Sequence, residues 1–506
     1  MGEAWNGKVA LTRNRKLTIV IERKVIVIGA GLGGLATSLR LANAGWNVHL
    51  LEKSESAGGK LNRFSSDGFV FDTGPSLLTL PELFSDVLSL AGKNFWDLNP
   101  KRIDPLFRYI FDDSSELKYT SSLPDISEQI RNLTGSETDV AGFLDFLELG
   151  RRIFDLSTQT FFRTAPFSSF NISDLMALIR SPKRQIWGSY SKTIDKFFKD
   201  PRIKQIFNRY PTYVGSSPYQ APAMLALIPY MELIKGGWYV PGGLYEIVTS
   251  IMNKLPENIK FHPETEVTSI NSDGQRWLIK AASGKTFKSE IVVCNVDPET
   301  VWDISGGSYG QKHKEKDLSM SGIVALVGHG GQLEKVSHHT VTFSSNYPEE
   351  FDSIFRKHQF PDDPTVYINI PSISDPTVAP KGSQGIFIMA NAPAIGSQWT
   401  DKHTNLALER IRKRLKKTGM DGLLDKSNVL DIWSPSRLEQ DYSAPRGAIY
   451  GRVSHGWRNS FLRPPIKTEK SPAMYFVGGG THPGGGTPTV LMSAQIVSRK
   501  ILQDYA

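Results

Sequence analysis

A glycine-rich segment near the start of the chain has the spacing of a diphosphate-binding turn. It reads GAGLGG, and its glycines are Gly29, Gly31, Gly33 and Gly34. In such a turn the first glycine allows the tight bend, the second lets a pyrophosphate approach the backbone, and the last lets a helix pack closely on a strand. The free N–H groups and the dipole of the following helix then favour an anion. The spacing therefore predicts dinucleotide binding.

The elements around this turn support the same prediction. A short β-branched run, VIVI at residues 25–28, precedes the turn, and residues 35–44 have the pattern of a helix. A second strand over residues 46–51 ends at Glu52, which is suited to bind the ribose hydroxyls of an adenosine. The alternative, a glycine-rich turn without a ligand, is disfavoured because strand, helix and acid occur in the required order.

A second glycine-rich loop lies near the C-terminal end. Residues 474–477 form a predicted strand, GGGTHPGGGTP follows, and a helix is predicted from Thr489 to Leu502. Gly479 and Gly480 in this loop can present backbone N–H groups to a cofactor, as can the N-terminus of the helix. Two such loops and a single ribose-binding acid fit one long dinucleotide, which is FAD.

A third glycine-rich segment, GGK at residues 58–60 with GP at 74–75, separates FAD from NAD. It resembles the segment that passes beneath the flavin in the FAD-binding amine-oxidase and carotenoid-desaturase superfamily, and NAD dehydrogenases have no use for it. That superfamily more often has arginine at the position of Lys60. The complete set of predicted cofactor contacts is Gly29, Gly31, Gly33, Gly34, Glu52, Lys53, Gly58, Gly59, Lys60, Gly74, Pro75, Val267, Gly479, Gly480 and Thr489.

The composition excludes several classes of protein. The 506 residues, 22% charged and 40% apolar, can bury a large core and form two or more domains. Cys294 is the one cysteine, so no internal disulfide can form and a reducing compartment is indicated. The ten histidines are scattered, and the adjacent His338 and His339 would face opposite sides of a strand. We therefore predict no metal site.

The net charge of +8 and the pI near 9.2 make the surface basic. Attraction to an anionic membrane face and an ordinary basic soluble protein are both compatible with this charge. Nucleic acid is disfavoured as a partner because no binding motif accompanies the charge. No apolar run approaches the roughly 20 residues that span a bilayer. Residues 1–23 lack the pattern of a secretory signal and are expected to be a disordered lead outside the fold.

The predicted fold class is α/β, with a Rossmann-like FAD-binding domain, a discontinuous mixed α+β substrate domain and a helical, membrane-associated region. Strand patterns typical of the first domain return after the middle of the chain, so the domains are discontinuous in sequence. The predicted boundaries are 24–96 plus 241–300 plus 441–506 for the FAD-binding domain, 97–158 plus 301–440 for the substrate domain, and 159–240 for the helical region.

The helical region interleaves phenylalanine and tyrosine with arginine and lysine. Such a mixture suits a helix that lies in a membrane interface, and it also suits a helical domain whose core takes the aromatic residues. On the residues alone, the second interpretation is favoured. Glu232 interrupts the apolar stretch 221–234, so its carboxylate needs a hydrogen-bond donor or faces a functional cavity.

Over residues 24–502 the chain resembles the bacterial-type carotenoid desaturases, the phytoene and diapophytoene desaturase family. The THPG pattern around His482 is typical of the bacterial enzymes, and plant-type desaturases depart from it. The segments that carry the resemblance are GGKLNRFSSDGFVFDTGPSLLTLP (58–81), YVGSSPYQAPAMLALIPYMELIKGGWYVPGG (213–243), DPTVYINIPSISDPTVAP (363–380) and GGGTHPGGGTPTVLMSA (478–494).

The resemblance implies an FAD-dependent oxidoreductase of carotenoid biosynthesis that desaturates phytoene, diapophytoene or a later acyclic intermediate. Hydride would pass to flavin N5, and the neighbouring carbon would lose a proton to a modest base. Glu232 and His482 are the candidate bases, each with a structural role as its alternative. Because no second nucleotide fingerprint is present, oxygen or a membrane quinone is the expected electron acceptor, and NAD(P)H is disfavoured.

A C30 or C40 polyene is apolar and resides in a bilayer. The resemblance therefore favours the first interpretation of the helical region, in which its helices lie in a membrane interface. Residues 159–235 become the expected lipid-facing entrance, and the protein is expected to be cytoplasmic and peripherally bound to the membrane surface. Three alternatives stay open. They are a carotenoid oxygenase of the same family that acts on a terminal methyl group, a non-redox carotenoid isomerase and, more distantly, a flavin amine oxidase.

Overall fold

The computed structural model describes residues 23–163, 188–334, 336–425, 428–470 and 472–506. Their strands form a five-stranded sheet, a seven-stranded sheet, a three-stranded sheet and two two-stranded pairs. The strands are β1 Lys24–Ile28, β2 Asn47–Leu51, β3 Arg63–Ser66, β4 Phe69–Asp72, β5 Lys101–Arg102, β6 Phe107–Ile110, β7 Glu116–Tyr119, β8 Trp238–Tyr239, β9 Ile259–His262, β10 Val267–Ser272, β11 Trp277–Ala281, β12 Thr286–Ser289, β13 Ile291–Cys294, β14 Ser321–Gly330, β15 His339–Thr342, β16 Val366–Asn369, β17 Ser383–Ala392, β18 Val429–Trp433 and β19 Met474–Phe476.

Helices cover the sheets and connect them. The described α-helices are α1 Leu32–Asn43, α2 Pro81–Leu90, α3 Leu123–Thr134, α4 Glu137–Gln159, α5 Tyr190–Phe197, α6 Pro201–Asn208, α7 Leu227–Lys235, α8 Glu246–Met252, α9 Pro298–Ile304, α10 Tyr347–Phe355, α11 Asp401–Lys417, α12 Pro435–Tyr442, α13 Gly456–Phe461 and α14 Thr487–Asp504.

The five-stranded sheet has the order β19-β13-β1-β2-β9, and every neighbouring pair in it is parallel. In β1, Val25 and Val27 lie in the core beneath α1, α2 and α14. Ile26 and Ile28 point to the opposite face, into a core shared with the antiparallel sheet β10–β12. Burial on both faces explains why this strand is a continuous β-branched run. The sheet brings together strands from the beginning, middle and end of the chain.

The seven-stranded sheet has the order β18-β14-β17-β16-β15-β6-β7 and is antiparallel except between β15 and β6. On its back face, Ile323, Ile368 and Ile388 pack in one core with residues of α11. Alternate side chains of a strand point to opposite faces, so Val324 and Tyr367 belong to the front face. That front face walls the cavity described below.

The described part of residues 159–240 contributes aromatic side chains to a helical core. Tyr190, Phe198, Phe207 and Tyr210 are inaccessible to solvent and share a core with α4. For these residues the structure agrees with the interpretation of a helical core. Residues 164–187, which carry part of the predicted membrane entrance, lie outside the described residues. In the described part of the chain, no helix is long and apolar enough to cross a membrane.

A buried carboxyl group ties α10 to the seven-stranded sheet. Glu350 is only 2% exposed, and its Oε2 accepts hydrogen bonds from the Thr365 backbone N–H at 3.1 Å and from the Thr365 hydroxyl at 2.6 Å. Burial raises the pKa of Glu350 from 4.5 to about 7, and the bonds from Thr365 oppose this shift.

We expect the free energy of unfolding to fall as pH rises from 4.5 to about 7, because native Glu350 keeps its proton where the unfolded chain has lost it. The shift corresponds to about 3 kcal/mol at most. Glu350→Gln cannot titrate, so it should flatten this part of the pH profile. Chemical denaturation of both proteins across this pH range measures the effect. Identical profiles for the two proteins would contradict the prediction.

Candidate active site

The first glycine turn is tightly packed between β1 and α1. Gly29 has a φ of +94°, which favours glycine, and α1 begins soon afterwards at Leu32. A Cβ atom on Gly34 would overlap the Gly29 carbonyl oxygen, so the helix can approach the strand only because Gly34 has no side chain. The Gly34 N–H donates a hydrogen bond to Oδ1 of Asn295.

Asn295 is a residue of this site that the sequence analysis missed. It directly follows β13 at the carboxyl edge of the parallel sheet, where ligands of open α/β sheets bind. Its Oδ1 accepts from Gly34, and its Nδ2 donates to the Val477 carbonyl at 3.4 Å. One side chain therefore joins the N-terminal and C-terminal glycine loops. The feature of the sequence that could have identified Asn295 is its position directly after a fully buried strand.

Glu52 lies at the end of β2, against the first turn. Its Oε2 accepts from the Ala30 N–H at 2.7 Å and its Oε1 from the Ser54 N–H at 3.0 Å. These bonds fix the carboxylate, and its other lone pairs can still accept hydrogen bonds from a ribose. The neighbouring Lys53 reaches across the loop, where its Nζ donates to the Gln440 carbonyl at 3.0 Å.

The second glycine segment lies directly on the first. Gly58 forms a β-bridge with Gly31, and a Cβ atom on Gly59 would lie 3.1 Å from Gly31 Cα. Gly74 is equally confined, because a Cβ atom there would overlap the Lys60 carbonyl oxygen. Glycine at these positions lets two backbone segments pass each other at the edge of the cofactor site.

Lys60 lines the cavity that these loops enclose. Its Nζ donates to the Ile449 carbonyl at 2.5 Å. The accessible part of its side chain faces the cavity, and the protein around it lowers the pKa of Lys60 to about 8, while Asp297 opposes the shift. A lysine acts here as a point charge, without the bidentate fork that an arginine would offer.

The C-terminal loop lies beside the first glycine turn, with Gly478 Cα 3.3 Å from a Cβ atom built on Gly33. Helix α14 begins at Thr487, two residues before the predicted start, because Pro488 suits the first turn of a helix. The Thr489 hydroxyl donates back to the carbonyl of Gly485 at 2.9 Å. The first turn of this helix faces the cavity beside the N-terminus of α1, since a Cβ atom on Gly33 would lie 3.2 Å from Val490 Cγ1.

One cavity of about 660 Å³ joins the three glycine loops to the front face of the seven-stranded sheet. Gly34 is not among its lining residues and supports the turn from behind. The wall on the sheet side is formed by Val324, Val341, Tyr367, Phe387 and Met389. The predicted cofactor residues that line the cavity are Gly29, Gly31, Gly33, Glu52, Lys53, Gly58, Gly59, Lys60, Gly74, Pro75, Val267, Gly479, Gly480 and Thr489.

Glu232 is fully buried behind the cavity wall. Its Oε1 accepts from the Tyr210 hydroxyl and its Oε2 from the Tyr213 hydroxyl, both at 2.7 Å. Arg209 donates to the Tyr213 hydroxyl at 3.0 Å, and both of these residues line the cavity. Burial raises the pKa of Glu232, and Arg209 and the two tyrosine hydroxyls oppose the shift. Glu232 therefore does not line the cavity itself and is linked to it by the hydroxyl group of Tyr213.

His482 faces away from this cavity. Its Nε2 donates to the Phe161 carbonyl at 2.8 Å, and the two rings pack with 4.5 Å between their centroids. It lines a separate surface pocket together with Arg463 and Lys467. These contacts hold the C-terminal loop against the chain that follows α4.

The backbone around the glycines fits FAD. Because Gly31, Gly34 and Gly59 carry no side chain, a close-packed cradle forms at the N-terminus of α1, and the Glu52 carboxylate lies beside it. The N-terminus of α14 opens on the same cavity and suits an electron-rich ring. The site lies at the edge of a parallel sheet, and a second sheet forms one wall of its cavity. This arrangement defines a flavin-dependent oxidoreductase of the α/β class.

The family model for flavin containing amine oxidoreductases matches residues 32–502. The chain belongs to this FAD-dependent family and, within it, to the carotenoid desaturase family of its relatives. Its cofactor is FAD, and it is an oxidoreductase. The resemblance found in the sequence is thereby confirmed.

The relatives align over nearly their whole length. The 4,4'-diapolycopene oxygenase of Methylomonas sp is 32% identical over 491 residues, which cover 95% of this chain and 98% of the relative. The 1-hydroxycarotenoid 3,4-desaturase of a Flavobacterium species is also 32% identical, over 94% of this chain and 98% of the relative. A solved oxidoreductase from Methanosarcina mazei has a TM-score of 0.62 at 17% identity and covers 94% of this chain, with 100% of its own chain matched. That structure shares the fold.

Replacing Asn295 with leucine is expected to weaken FAD binding, because the Gly34 N–H loses its partner within the protein. An unpaired buried donor costs about 1–3 kcal/mol of stability. Because this cost is present with and without FAD, only the resulting shift of the turn weakens binding, and the dissociation constant rises by less than roughly 150-fold. Titration of the apoprotein with FAD, followed by flavin fluorescence, measures the change. A dissociation constant equal to that of the unmodified protein would show that the bond does not support the site.

Proposed function

We propose that this protein dehydrogenates an acyclic carotenoid, namely phytoene, diapophytoene or a later acyclic intermediate, in carotenoid biosynthesis. The observation that carries the proposal is the apolar front face of the seven-stranded sheet, which opens on the same cavity as the glycine loops. Val324, Val341, Phe387 and Met389 offer a polyene dispersion contacts along its length. A small amine, the substrate of a flavin amine oxidase, would have to give up its hydration on this surface.

The names of two relatives support this substrate class. The Methylomonas relative is named for diapolycopene and the Flavobacterium relative for a hydroxycarotenoid. Both names specify carotenoids, although one reaction is an oxygenation and the other a desaturation. A long conjugated substrate is common to the two.

The three glycine loops hold FAD in this proposal, with Glu52 on the ribose and Lys60 beneath the ring. Bound FAD supplies the hydride acceptor. The carbon beside the reacting one then loses a proton, and its acidity is high because the positive charge is delocalised along the polyene. The Tyr213 hydroxyl oxygen accepts this proton while its own proton passes to Glu232 Oε2, 2.7 Å away. His482 keeps the C-terminal loop in position through its bond to Phe161.

We further propose that oxygen or a membrane quinone reoxidises the enzyme and that the protein binds the cytoplasmic membrane surface, where a C30 or C40 substrate resides. Its net charge of +8 favours an anionic bilayer. Purified protein is therefore expected to float with phosphatidylglycerol vesicles and less with phosphatidylcholine vesicles. High salt should release the electrostatic part of this binding. Protein that floats with neither vesicle would contradict membrane binding.

Expression in a host that makes phytoene or diapophytoene, and no other carotenoid, tests the desaturation. We expect products whose masses decrease by two hydrogens for each new double bond and whose absorption moves to longer wavelength. Unchanged substrate in both hosts would exclude phytoene and diapophytoene and leave only a later acyclic intermediate. Purified protein without a flavin absorption band would overturn the proposal.

A carotenoid oxygenase is the second candidate, because a relative at 32% identity carries that name. Turnover under isotopically labelled oxygen separates the two. Label in the product identifies an oxygenase, whereas loss of two hydrogens without label identifies a desaturase. Steady turnover with no electron acceptor at all would identify an isomerase.

A further inference from the structure

A group of apolar side chains lies on the surface around the short strands β5 and β8. Trp96 and Ile234 are 52% and 39% exposed, and Trp238 is partly exposed. Large apolar side chains that are exposed singly are ordinary on a protein surface, whereas a contiguous group marks a surface that contacts a partner. These three side chains form one group, because direct contacts link the segments that carry them.

The two tryptophans and the end of α7 are in contact. The rings of Trp96 and Trp238 are 5.7 Å apart between centroids, in an edge-to-face arrangement. The indole Nε1 of Trp238 donates to the Lys235 carbonyl at 3.1 Å, and Ile234 directly precedes Lys235. Tryptophan combines a large apolar ring with one N–H donor and is typical of a membrane–water interface.

Two cations of β5 border the tryptophans. Arg102 is paired with Trp238 in the antiparallel ladder, so the two side chains leave the same face of the strand pair. Lys101 Nζ donates to the Ser374 carbonyl at 2.8 Å, next to Ile373, which is 43% exposed. The group is called the tryptophan patch below, and it consists of Trp96, Lys101, Arg102, Ile234, Lys235 and Trp238.

The tryptophan patch carries unpaired positive charge. Lys101, Arg102 and Lys235 are exposed, and among the described residues none of the three forms an ion pair with a carboxylate. The exposed acids nearest to them in the sequence, Asp97 and Asp104, are therefore not their partners. Apolar and aromatic side chains beside unpaired cations fit the interface of an anionic bilayer, where lipid phosphates complement the charge.

Helix α7 connects the tryptophan patch to the substrate cavity. Leu227, Ile228 and Met231 line the cavity, so they mark the face of the helix that points to it. Residues three and four positions apart lie on the same face of a helix. Ile234 and Lys235 are three and four positions after Met231, and both are exposed. The cavity-lining face of α7 therefore reaches the surface at the patch.

A second contact joins the patch to the wall of the cavity. Leu77 lines the cavity, and a Cβ atom on Gly237 would lie 2.5 Å from Leu77 Cδ1. Leu78 and Trp238 form a β-bridge at the same place. Because Gly237 has no side chain, the segment that carries Trp238 packs directly on the cavity wall.

On the basis of the proposed function, in which the substrate resides in a bilayer, we infer that the tryptophan patch is the surface that contacts the membrane. Its two tryptophans and Ile234 enter the interfacial layer, while Lys101, Arg102 and Lys235 bind lipid phosphates. Helix α7 and Leu77 then hold the cavity next to the bilayer, so an apolar polyene can enter without crossing water. Of the entrance predicted from the sequence, residues 159–235, the patch includes only Ile234 and Lys235.

The test measures flotation of the FAD-loaded full chain with vesicles of phosphatidylglycerol and phosphatidylcholine in equal parts. Trp96→Ala should lower the partition coefficient about tenfold or more, because the exposed part of the indole no longer enters the bilayer. The matched control is Leu406→Ala, which removes a side chain that is 38% exposed on α11, the helix on the back face of the seven-stranded sheet. This control should leave the partition coefficient unchanged.

A second pair of variants separates the local charge of the patch from the net charge of the protein. Replacing both Lys101 and Arg102 with glutamine should lower the partition coefficient roughly 25-fold, since each cation near an anionic surface contributes about fivefold. Replacing the exposed Lys402 and Lys413 of α11 with glutamine removes the same charge and should change it less than about twofold. High salt should abolish the difference between the two double variants.

Equal partitioning of Trp96→Ala and Leu406→Ala would overturn the inference, as would equal losses in the two double variants. A dimer in sedimentation that Trp96→Ala dissociates would assign the patch to a second copy of the chain and would overturn it too. These results leave the desaturation untouched, because the product spectrum in the expression host decides it separately. Unmodified protein that does not float would exclude membrane binding altogether, and this inference with it.

Discussion

Gly34→Ala is expected to yield a folded protein that does not retain FAD. The new Cβ atom would overlap the Gly29 carbonyl oxygen, which belongs to the backbone and has no flexible side chain to move aside. The turn would have to open, and the Gly34 N–H would lose its bond to Asn295. Both changes disrupt the surface that receives the pyrophosphate. The flavin absorption band of the purified protein, relative to its total protein, measures the loss.

Gly330→Ala is the matched control for this substitution. Gly330 ends β14, and no atom lies within 4 Å of a Cβ atom built there. The same chemical change should therefore leave the flavin content unaltered. Circular dichroism of both variants separates loss of the cofactor from loss of the fold. A full flavin band in Gly34→Ala would show that the first turn does not grip the cofactor.

Tyr213→Phe and Glu232→Gln are each expected to lower kcat about 10²- to 10⁴-fold with FAD still bound, because each breaks the proposed proton path. The Tyr213 hydroxyl is the link between the cavity and Glu232 Oε2, at 2.7 Å. Residues that act as one unit show strongly non-additive losses. The double variant should therefore lose little more than either single variant. Stopped-flow measurement of flavin reduction by the polyene follows this step directly.

Tyr210→Phe distinguishes the proton path from a structural role. Tyr210 is as buried as Glu232 and donates to the other oxygen of the same carboxylate, also at 2.7 Å, but it does not line the cavity. Its loss should lower stability and change flavin reduction much less than Tyr213→Phe does. Equal losses in the two tyrosine variants would contradict the path and leave Glu232 as a buried partner of Arg209.

The cofactor site could be predicted from the sequence because its rules are local. The first and the last glycine loops each join a strand directly to a helix, and the glycines of GAGLGG mark positions where a side chain would not fit. The predicted ends of helices and strands were less accurate. The start of α14 was predicted at Thr489 and lies at Thr487, since Pro488 is compatible with the first turn of a helix.

Asn295 and the surroundings of Glu232 could not be predicted in the same way. Asn295 is 261 positions from Gly34, and Tyr213 is bonded to a carboxylate 19 positions away on a different helix. Hydrophobic periodicity indicates that a residue is buried, but it does not identify the neighbour that it meets. The need of Glu232 for a hydrogen-bond donor was predicted from the cost of its burial, while the identity of the donors was not.

By itself the sequence determined the cofactor and the family, because both depend on short glycine-rich segments whose backbone geometry requires those residue types. The tertiary structure decided which side chains meet the substrate cavity. It turned His482 toward Phe161, set Glu232 behind Tyr213, and brought Thr365 beside Asn391 through the pairing of β16 with β17. The physical reason is that the cavity wall is built from strands far apart in the chain, and their order and register are fixed by packing between sheets and helices.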